Sequence, residues 1–281
     1  MTRLVSASLS LWLRRILLPM AVVATIAACS GKDQKDAYIE GTVEELYNAG
    51  QDNLLQEKYK DAAKFFEEVD RQHPFSVWAT RAQLMAGFAY YKDRNYDAAI
   101  VSVDRFIRLH PSHRDIAYAY YLKGLAHFDQ VRDVKRDTSS ALRAQETFDE
   151  LVKRFPNTQY TRDAQQKIDL LKDHMAGSEM YIGRYYQSRG LYLGAINRYR
   201  TIVDKYQTTS MVPEALHRLA ECYTALGLKD EAQRTAAVLG YNYPASEWYI
   251  ESYELVENKP VVRPPSVDPR TFWQRTWEWL F

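Results

Sequence analysis

Small residues recur in this chain at an interval of 37 residues. Two sets share the interval, namely Gly50, Gly87 and Gly124, and Gly183 and Ala220. A proline follows 24 residues after three of them, at Pro74, Pro111 and Pro244. A fixed period of this length is typical of repeat arrays, in which each unit packs on its neighbours. We therefore expect an array instead of one closed globular core.

Each repeat contains the pattern of a helical hairpin. A second small residue comes twelve positions after the first, at Ala62, Ala99, Ala195 and Ala232. Four positions later there is a larger residue, at Phe66, Val103 and Tyr199, with Ala236 as the exception. Apolar stripes at helical spacing on both sides of a polar turn predict two packed helices, and the proline ends the second helix. A third copy, with eight extra residues near 129–140, runs through Ala144 and Phe148 to Pro156.

The fourth repeat starts later than the period predicts. The interval from Pro156 to Gly183 is 27 residues, whereas other repeats need 13. An excess of about 14 residues equals about four helical turns, or roughly 21 Å, and keeps the helix faces in register. We expect one long helix over 158–188. It would divide repeats 1 to 3, residues 42–157, from repeats 4 and 5, residues 158–255, so that two partners could bind at once.

The N-terminus has the pattern of a secretory signal peptide over residues 1–28. Arg3, Arg14 and Arg15 precede an apolar run that is too short to span a bilayer comfortably. Residues 26–29 resemble the lipobox of bacterial lipoproteins, which implies that Cys29 carries acyl chains and anchors the protein, with 29–41 as a flexible linker. Ser30, in place of an aspartate, implies sorting to the outer membrane. The alternative is an ordinary signal peptide with an incidental cysteine.

Composition and motifs argue against several classes of function. The 37 Lys and Arg residues against 36 Asp and Glu give a net charge of +1, which does not favour nucleic-acid binding. The sequence contains no nucleophile elbow, phosphate-binding glycine loop, HExxH or CxxC. We therefore expect no enzyme and no cofactor. His110 and His113 lack a third metal ligand nearby, and Cys222 is expected to be a buried thiol.

The repeat pattern resembles the tetratricopeptide repeat (TPR), and implies an all-α solenoid of five helical hairpins with one long linking helix. In that family the first helix of each hairpin lines a groove. By register, the groove residues would be Tyr47, Leu54, Leu84, Phe88, Tyr91, Tyr118, Tyr121, Leu125 and Phe128. So many exposed apolar side chains favour a groove for an extended peptide, although packing in the core is the alternative. Arg184 and Gln187 hold these positions in repeat 4, so the apolar lining is expected to end at repeat 3.

The C-terminal end differs in composition from the repeats. Four prolines mark residues 256–270 as an extended linker. The tail, residues 271–281, is rich in aromatic side chains that include Trp273, Trp277, Trp279 and Phe281. A short amphipathic helix of this kind could lie at a bilayer interface, or it could dock on the repeats or on a partner.

The lipobox, five hairpins, enlarged third repeat and long helix together resemble the BamD family, lipoproteins of the outer-membrane β-barrel assembly machinery. Local strings over roughly 29–245 support this, among them 73–75, 105–109 and 156–160. The resemblance implies a non-enzymatic scaffold on the periplasmic face of the outer membrane. Its partners would be the periplasmic domains of BamA, other lipoproteins of the machinery, and unfolded outer-membrane proteins, whose final strand commonly ends in an aromatic residue.

The family resemblance also implies a role for one basic residue. An arginine in the second helix of the family's fourth repeat pairs with BamA, and Arg198 holds that position here. Two other functions remain open for a TPR lipoprotein. It could escort a secretin as a pilotin, or it could be an adaptor for peptidoglycan enzymes.

Overall fold

The computed structural model describes residues 40–131, 133 and 138–257. In these ranges every regular element is an α-helix, and the compact unit that contains the helices starts at Thr42. The helices are α1 (Val43–Leu55), α2 (Tyr59–Gln72), α3 (Val77–Lys92), α4 (Tyr96–Leu109), α5 (Ile116–Phe128), α6 (Ser139–Arg154), α7 (Gln159–Ser188), α8 (Tyr192–Lys205), α9 (Val212–Ala225), α10 (Lys229–Asn242) and α11 (Glu247–Glu257). Within the same ranges no helix is both long enough and apolar enough to cross a membrane.

The first ten helices form five consecutive hairpins, from α1–α2 to α9–α10, and α11 packs on α9 and α10 of the last one. The expected all-α, TPR-like solenoid of five repeats is confirmed. Its long helix, α7, runs from Gln159 to Ser188, where the spacing predicted 158–188. The extra residues of the third repeat fall between α5 and α6, which are joined by residues 129–138.

In four of the hairpins, a three-residue turn of the same geometry joins the two helices. The middle residue has a positive φ each time, 58° at Glu57, 60° at Arg94, 72° at Gly190 and 76° at Gly227. This left-handed conformation costs an L-residue roughly 1–2 kcal/mol, whereas glycine adopts it readily. Repeats 4 and 5 therefore have the favourable residue at this turn, and repeats 1 and 2 keep the same turn against the local preference of Glu57 and Arg94.

The small residue of each first helix marks the closest approach of the two helices. A β-carbon on the glycine would overlap the large residue of the second helix, at 2.7 Å for Gly50 and Phe66, 2.6 Å for Gly87 and Val103, 2.3 Å for Gly124 and Phe148, and 2.4 Å for Gly183 and Tyr199. These four large side chains are completely buried. In the fifth hairpin the equivalent positions are held by Ala220 and Ala236, both buried. The residue of the first helix is thus larger here than in the other hairpins, alanine in place of glycine, and the residue of the second helix is smaller.

Helix α7 contributes to two hydrophobic cores. Leu171 and Met175 belong to a first core that extends through α3 to α7. Ala176 and Met180 belong to a second core, shared with α8 to α11. Cys222 lies in the second core, fully buried, and burial raises the pKa of its thiol to about 11, as expected for a structural cysteine.

We expect Gly124→Ala to lower the free energy of unfolding by about 1–3 kcal/mol, because the new methyl group overlaps the Phe148 ring and the core has no room for it. Urea unfolding measures the change. The double variant Gly124→Ala/Phe148→Ala, which copies the Ala220 and Ala236 pair of the fifth hairpin, should be more stable than the sum of the two single changes predicts. Strict additivity, or a Gly124→Ala protein as stable as the wild type, would contradict the packing described here.

Candidate protein-binding surfaces

The first helices of neighbouring hairpins lie side by side, since α1 contacts α3, α3 contacts α5 and α5 contacts α7. On this side, repeats 2 and 3 and the start of α7 form what we name the aromatic face. Its residues are half-buried and pack against the first core: Phe88, Tyr91, Tyr118, Tyr121, Leu125, Phe128 and Tyr160. Six of the seven are among the groove residues expected from the sequence.

The tyrosines of the aromatic face are held by each other and by two carboxylates. The Tyr121 ring stacks on Tyr160, with centroids 5.2 Å apart, and Tyr118 lies 5.4 Å from Tyr160. The Tyr121 hydroxyl donates to Asp163 Oδ2 at 2.6 Å, and the Tyr91 hydroxyl donates to Asp129 Oδ2 at 2.7 Å. Because each hydroxyl has its own acceptor, the ring faces are positioned without a ligand.

Burial and these hydrogen bonds keep the phenols neutral. Burial raises the pKa of Tyr91 and of Tyr121, and the neighbouring carboxylates raise both further. Burial also raises the pKa of Tyr118 to about 12. The hydroxyls of Tyr91, Tyr118 and Tyr121 are therefore neutral at physiological pH with a wider margin than an ordinary phenol has.

Cations lie over the outer rings of the aromatic face. Lys92 Nζ is 5.6 Å from the centroid of Phe88, and Lys167 Nζ is 5.0 Å from that of Phe128. Lys167 Nζ also lies 3.5 Å from Asp163 Oδ2. Rings of this kind can stack with an aromatic or apolar side chain, and the two ammonium groups can attract a carboxylate.

Two residues expected in the groove are instead part of the interior, so the expectation that they face solvent was wrong. Tyr47 is 4% exposed and packs between Phe66 and Trp78, with ring centroids 5.5 Å and 4.8 Å away. Leu84 is 7% exposed and belongs to the first core. Both are covered by neighbouring helices. Leu54 is half-buried in the last turn of α1, outside the first core.

The contribution of α7 to the aromatic face was not predicted from the sequence. Tyr160, Asp163 and Lys167 follow the same spacing of three and four residues that defined the lining of α5. Continuing this register into the start of the long helix would have found them. The repeat pattern placed the groove only on the first helices of the recognised hairpins. The first half of α7 precedes Gly183, the small residue that marks the fourth hairpin, and was therefore left out.

In repeats 4 and 5 the same side carries an ionic network. Arg184 Nε donates to Glu214 Oε1 at 3.0 Å, and Arg218 Nη1 donates to Glu221 Oε2 at 2.8 Å. Gln187 Nε2 also donates to Glu221, at 2.8 Å. Here charged side chains replace the aromatic lining, and they join α7 to α9.

The second helices form the other side of the hairpins, and Arg198 lies there, on α8. Its side chain is 41% exposed, and Nη1 is 3.2 Å from Glu179 Oε2. It lines a pocket of about 230 Å³, which we name the Arg198 pocket, together with Tyr186, Gly194, Asn197 and Thr201. Because the Arg198 side chain is 41% exposed, its guanidinium group is accessible to a second carboxylate.

Several predicted sites lie outside the described residues. These are Cys29 and the tail residues Trp273, Trp277, Trp279 and Phe281. Among the residues that are described, no three His, Cys, Asp or Glu side chains are grouped as a metal site requires. His110 Nε2 lies 3.2 Å from Gln83 Oε1, and burial lowers the pKa of His110.

Comparison with known proteins identifies similar chains. Residues 39–239 match a family named YfiO and described as outer membrane lipoprotein. Proteins named outer membrane protein assembly factor BamD are similar to most of the chain. The Caulobacter vibrioides protein is 44% identical, over 86% of this chain and 81% of its own length. That of Rickettsia prowazekii is 44% identical, over 82% and 90%, and that of Neisseria meningitidis is 36% identical, over 86% and 96%.

The ionic network makes one carboxylate unusually acidic. Burial alone would raise the pKa of Glu221, but hydrogen bonds from His217, Arg218 and Gln187 outweigh it and lower the pKa to about 2. Since this pKa is below the value of 4.5 for an unperturbed glutamate, the carboxylate stabilises the fold above about pH 4.5. That stability is lost as the pH falls from 4.5 towards 2.

We expect Glu221→Gln to lower the free energy of unfolding by about 1–3 kcal/mol at pH 7 and by much less near pH 2, where the wild-type carboxylate is also protonated. Urea unfolding of both proteins between pH 7 and pH 2.5 measures the difference. Glu231→Gln, which affects only the exposed pair with Arg234, is the control and should change little at either pH. A difference for Glu221→Gln that stays constant with pH would refute this assignment.

Proposed function

This chain belongs to the YfiO family of outer membrane lipoproteins and acts in outer membrane protein assembly, and we propose that it does so as a non-enzymatic scaffold with two separate binding surfaces. One surface receives unfolded outer-membrane proteins. The other docks the periplasmic domains of BamA, next to the other lipoproteins of the β-barrel assembly machinery. Acyl chains on Cys29 hold the scaffold at the periplasmic face of the outer membrane, since each buried methylene contributes about 0.8 kcal/mol to membrane binding.

The aromatic face is the surface proposed to receive substrates, and the stacked cluster of Tyr118, Tyr121 and Tyr160 is the observation that carries this proposal. The final strand of an outer-membrane protein commonly ends in an aromatic residue. Its ring can stack on this cluster, and its terminal carboxylate can approach Lys92 or Lys167. Prearranged rings favour such binding, because no side chain has to be ordered when the ligand arrives.

The Arg198 pocket is the surface proposed to dock BamA. Its guanidinium group is already oriented by Glu179 and keeps donors free for a partner carboxylate. The pocket is lined mainly by α8, a second helix, with Tyr186 of α7 at its edge, whereas the aromatic face is lined by the first helices. A substrate and BamA would therefore bind to different sides of the hairpins.

Photocrosslinking tests the substrate surface. A benzophenone amino acid replaces Phe88 or Tyr121, and the probe is a peptide with the sequence of a last strand that ends in phenylalanine. We expect both positions to capture the peptide, and we expect capture to fall strongly when the terminal phenylalanine is replaced by alanine. The same photoreactive residue in place of Tyr241, which is 87% exposed on α10, is the control and should not capture it. Equal capture at all three positions would contradict the proposal.

Substitution of Arg198 tests the docking surface. We expect Arg198→Ala to weaken binding of the purified BamA periplasmic domains about tenfold, equivalent to about 1.4 kcal/mol, without a change in thermal stability. Arg234→Ala removes a comparable exposed ion pair on α10 and should leave the affinity unchanged. An Arg198→Ala protein that binds BamA like the wild type would exclude a docking role for this arginine.

A further inference from the structure

A pocket of about 360 Å³ opens between the second helices of the first two hairpins, and we name it the acidic pocket. Its apolar wall includes Phe66, Ala86 and Val101, and Glu67 and Asp97 line it with exposed carboxylates. Its polar wall is made of the buried side chains of Asp70 and Gln83 and of Arg105, whose side chain is 57% exposed, and all three already have partners. Gln83 Nε2 donates to Asp70 Oδ1 at 2.6 Å, and Arg105 Nη2 lies 2.9 Å from Asp70 Oδ2.

The acidic pocket is the repeat equivalent of the Arg198 pocket. Each residue that lines the Arg198 pocket has a counterpart in the acidic pocket 96 positions earlier: Tyr90 for Tyr186, Ala98 for Gly194, Val101 for Asn197, Ser102 for Arg198 and Arg105 for Thr201. The fold thus forms the same recess twice on the side of the second helices. The two differ in charge, because the Arg198 pocket is lined by an arginine and no carboxylate, whereas the acidic pocket is lined by three carboxylates, Glu67, Asp70 and Asp97, and one arginine, Arg105.

At the next hairpin junction, the position equivalent to Ala86 carries a lysine, which the acidic pocket does not have. At 37 residues further along, Ala86 corresponds to Lys123 and Glu67 corresponds to Asp104. Lys123 Nζ lies 2.7 Å from Asp104 Oδ1, so an aliphatic stem with a cationic end bridges α5 and α4 there. Ala86 ends at its β-carbon, and the Glu67 side chain has no hydrogen-bond or ion-pair partner among the described residues.

We propose that the acidic pocket docks a lysine or arginine side chain of a partner protein. The aliphatic stem lies against Val101, which is 69% exposed, above the buried Phe66 and Ala86, and the cationic end pairs with Glu67 and Asp97, as Lys123 pairs with Asp104 within the chain. Asp70 is occupied by Arg105 and has a structural role. This site is separate from both surfaces proposed above. The analogy with the Arg198 pocket depends on the proposed function, whereas the comparison with Lys123 does not.

The probe is the peptide acetyl-Ala-Lys-Ala-amide, titrated into the full-length protein in detergent while methyl NMR signals of Ala86 and Ala98 are followed. We expect saturable shifts of both signals and at least tenfold weaker binding of the same peptide with acetyllysine, which keeps the stem and loses the charge. Glu67→Gln should weaken binding of the lysine peptide several-fold. Glu44→Gln, an exposed glutamate of α1, is the control and should have no effect.

A second variant separates the pocket from the stability of the fold. Ala86→Lys should abolish binding of the peptide in a protein that still unfolds cooperatively, because its side chain occupies the pocket as Lys123 does one repeat later. Equal shifts with the lysine and acetyllysine peptides, or unchanged binding after Glu67→Gln, would overturn the proposal. Neither result would affect the tests at Phe88, Tyr121 and Arg198, which use other residues.

Discussion

The contact between one glycine and one large side chain in each of the first four hairpins is the constraint on which the rest of the structure depends. At Gly124 the backbone of α5 packs directly on the Phe148 ring, and the same contact recurs in the other hairpins of the first four repeats. Because the two helices of each hairpin meet at equivalent positions, every first helix lies on one side and every second helix on the other. The two sides of the hairpins can therefore evolve different chemistry without a change in the core.

On the side of the first helices, the change from aromatic to charged side chains takes place along helix α7. Its first half completes the first core and the aromatic face, and its second half begins the second core and the ionic network. Rings with neutral hydroxyls suit a ligand that is extended and apolar. The network around Glu214 and Glu221 instead satisfies its own charges, and His217 extends it to α11 through a hydrogen bond to Ser252 of 2.8 Å. This difference supports the proposal that substrates bind at repeats 2 and 3 instead of repeats 4 and 5.

The sequence predicted the array well because spacing alone determines it. The period, the hairpins and the long helix follow from small residues and prolines, and the resemblance to BamD follows from the same pattern. Exposure was harder to predict. Helical register shows which way Tyr47 and Leu84 point, but it does not show that a neighbouring helix covers them. Contacts between residues distant in sequence, such as the ion pair of Arg198 with Glu179, also could not be predicted. Finally, the equivalence of the two pockets appears only when their lining residues are known.

If the two sides of the hairpins bind two partners independently, neither partner changes the affinity of the other. Isothermal titration of the BamA periplasmic domains into the protein, with and without a saturating last-strand peptide, measures this independence. We expect the same affinity for BamA in both titrations, within about twofold, because the aromatic face and the Arg198 pocket lie on different sides of the hairpins. Loss of BamA binding in the presence of the peptide would show instead that the partners compete for one surface.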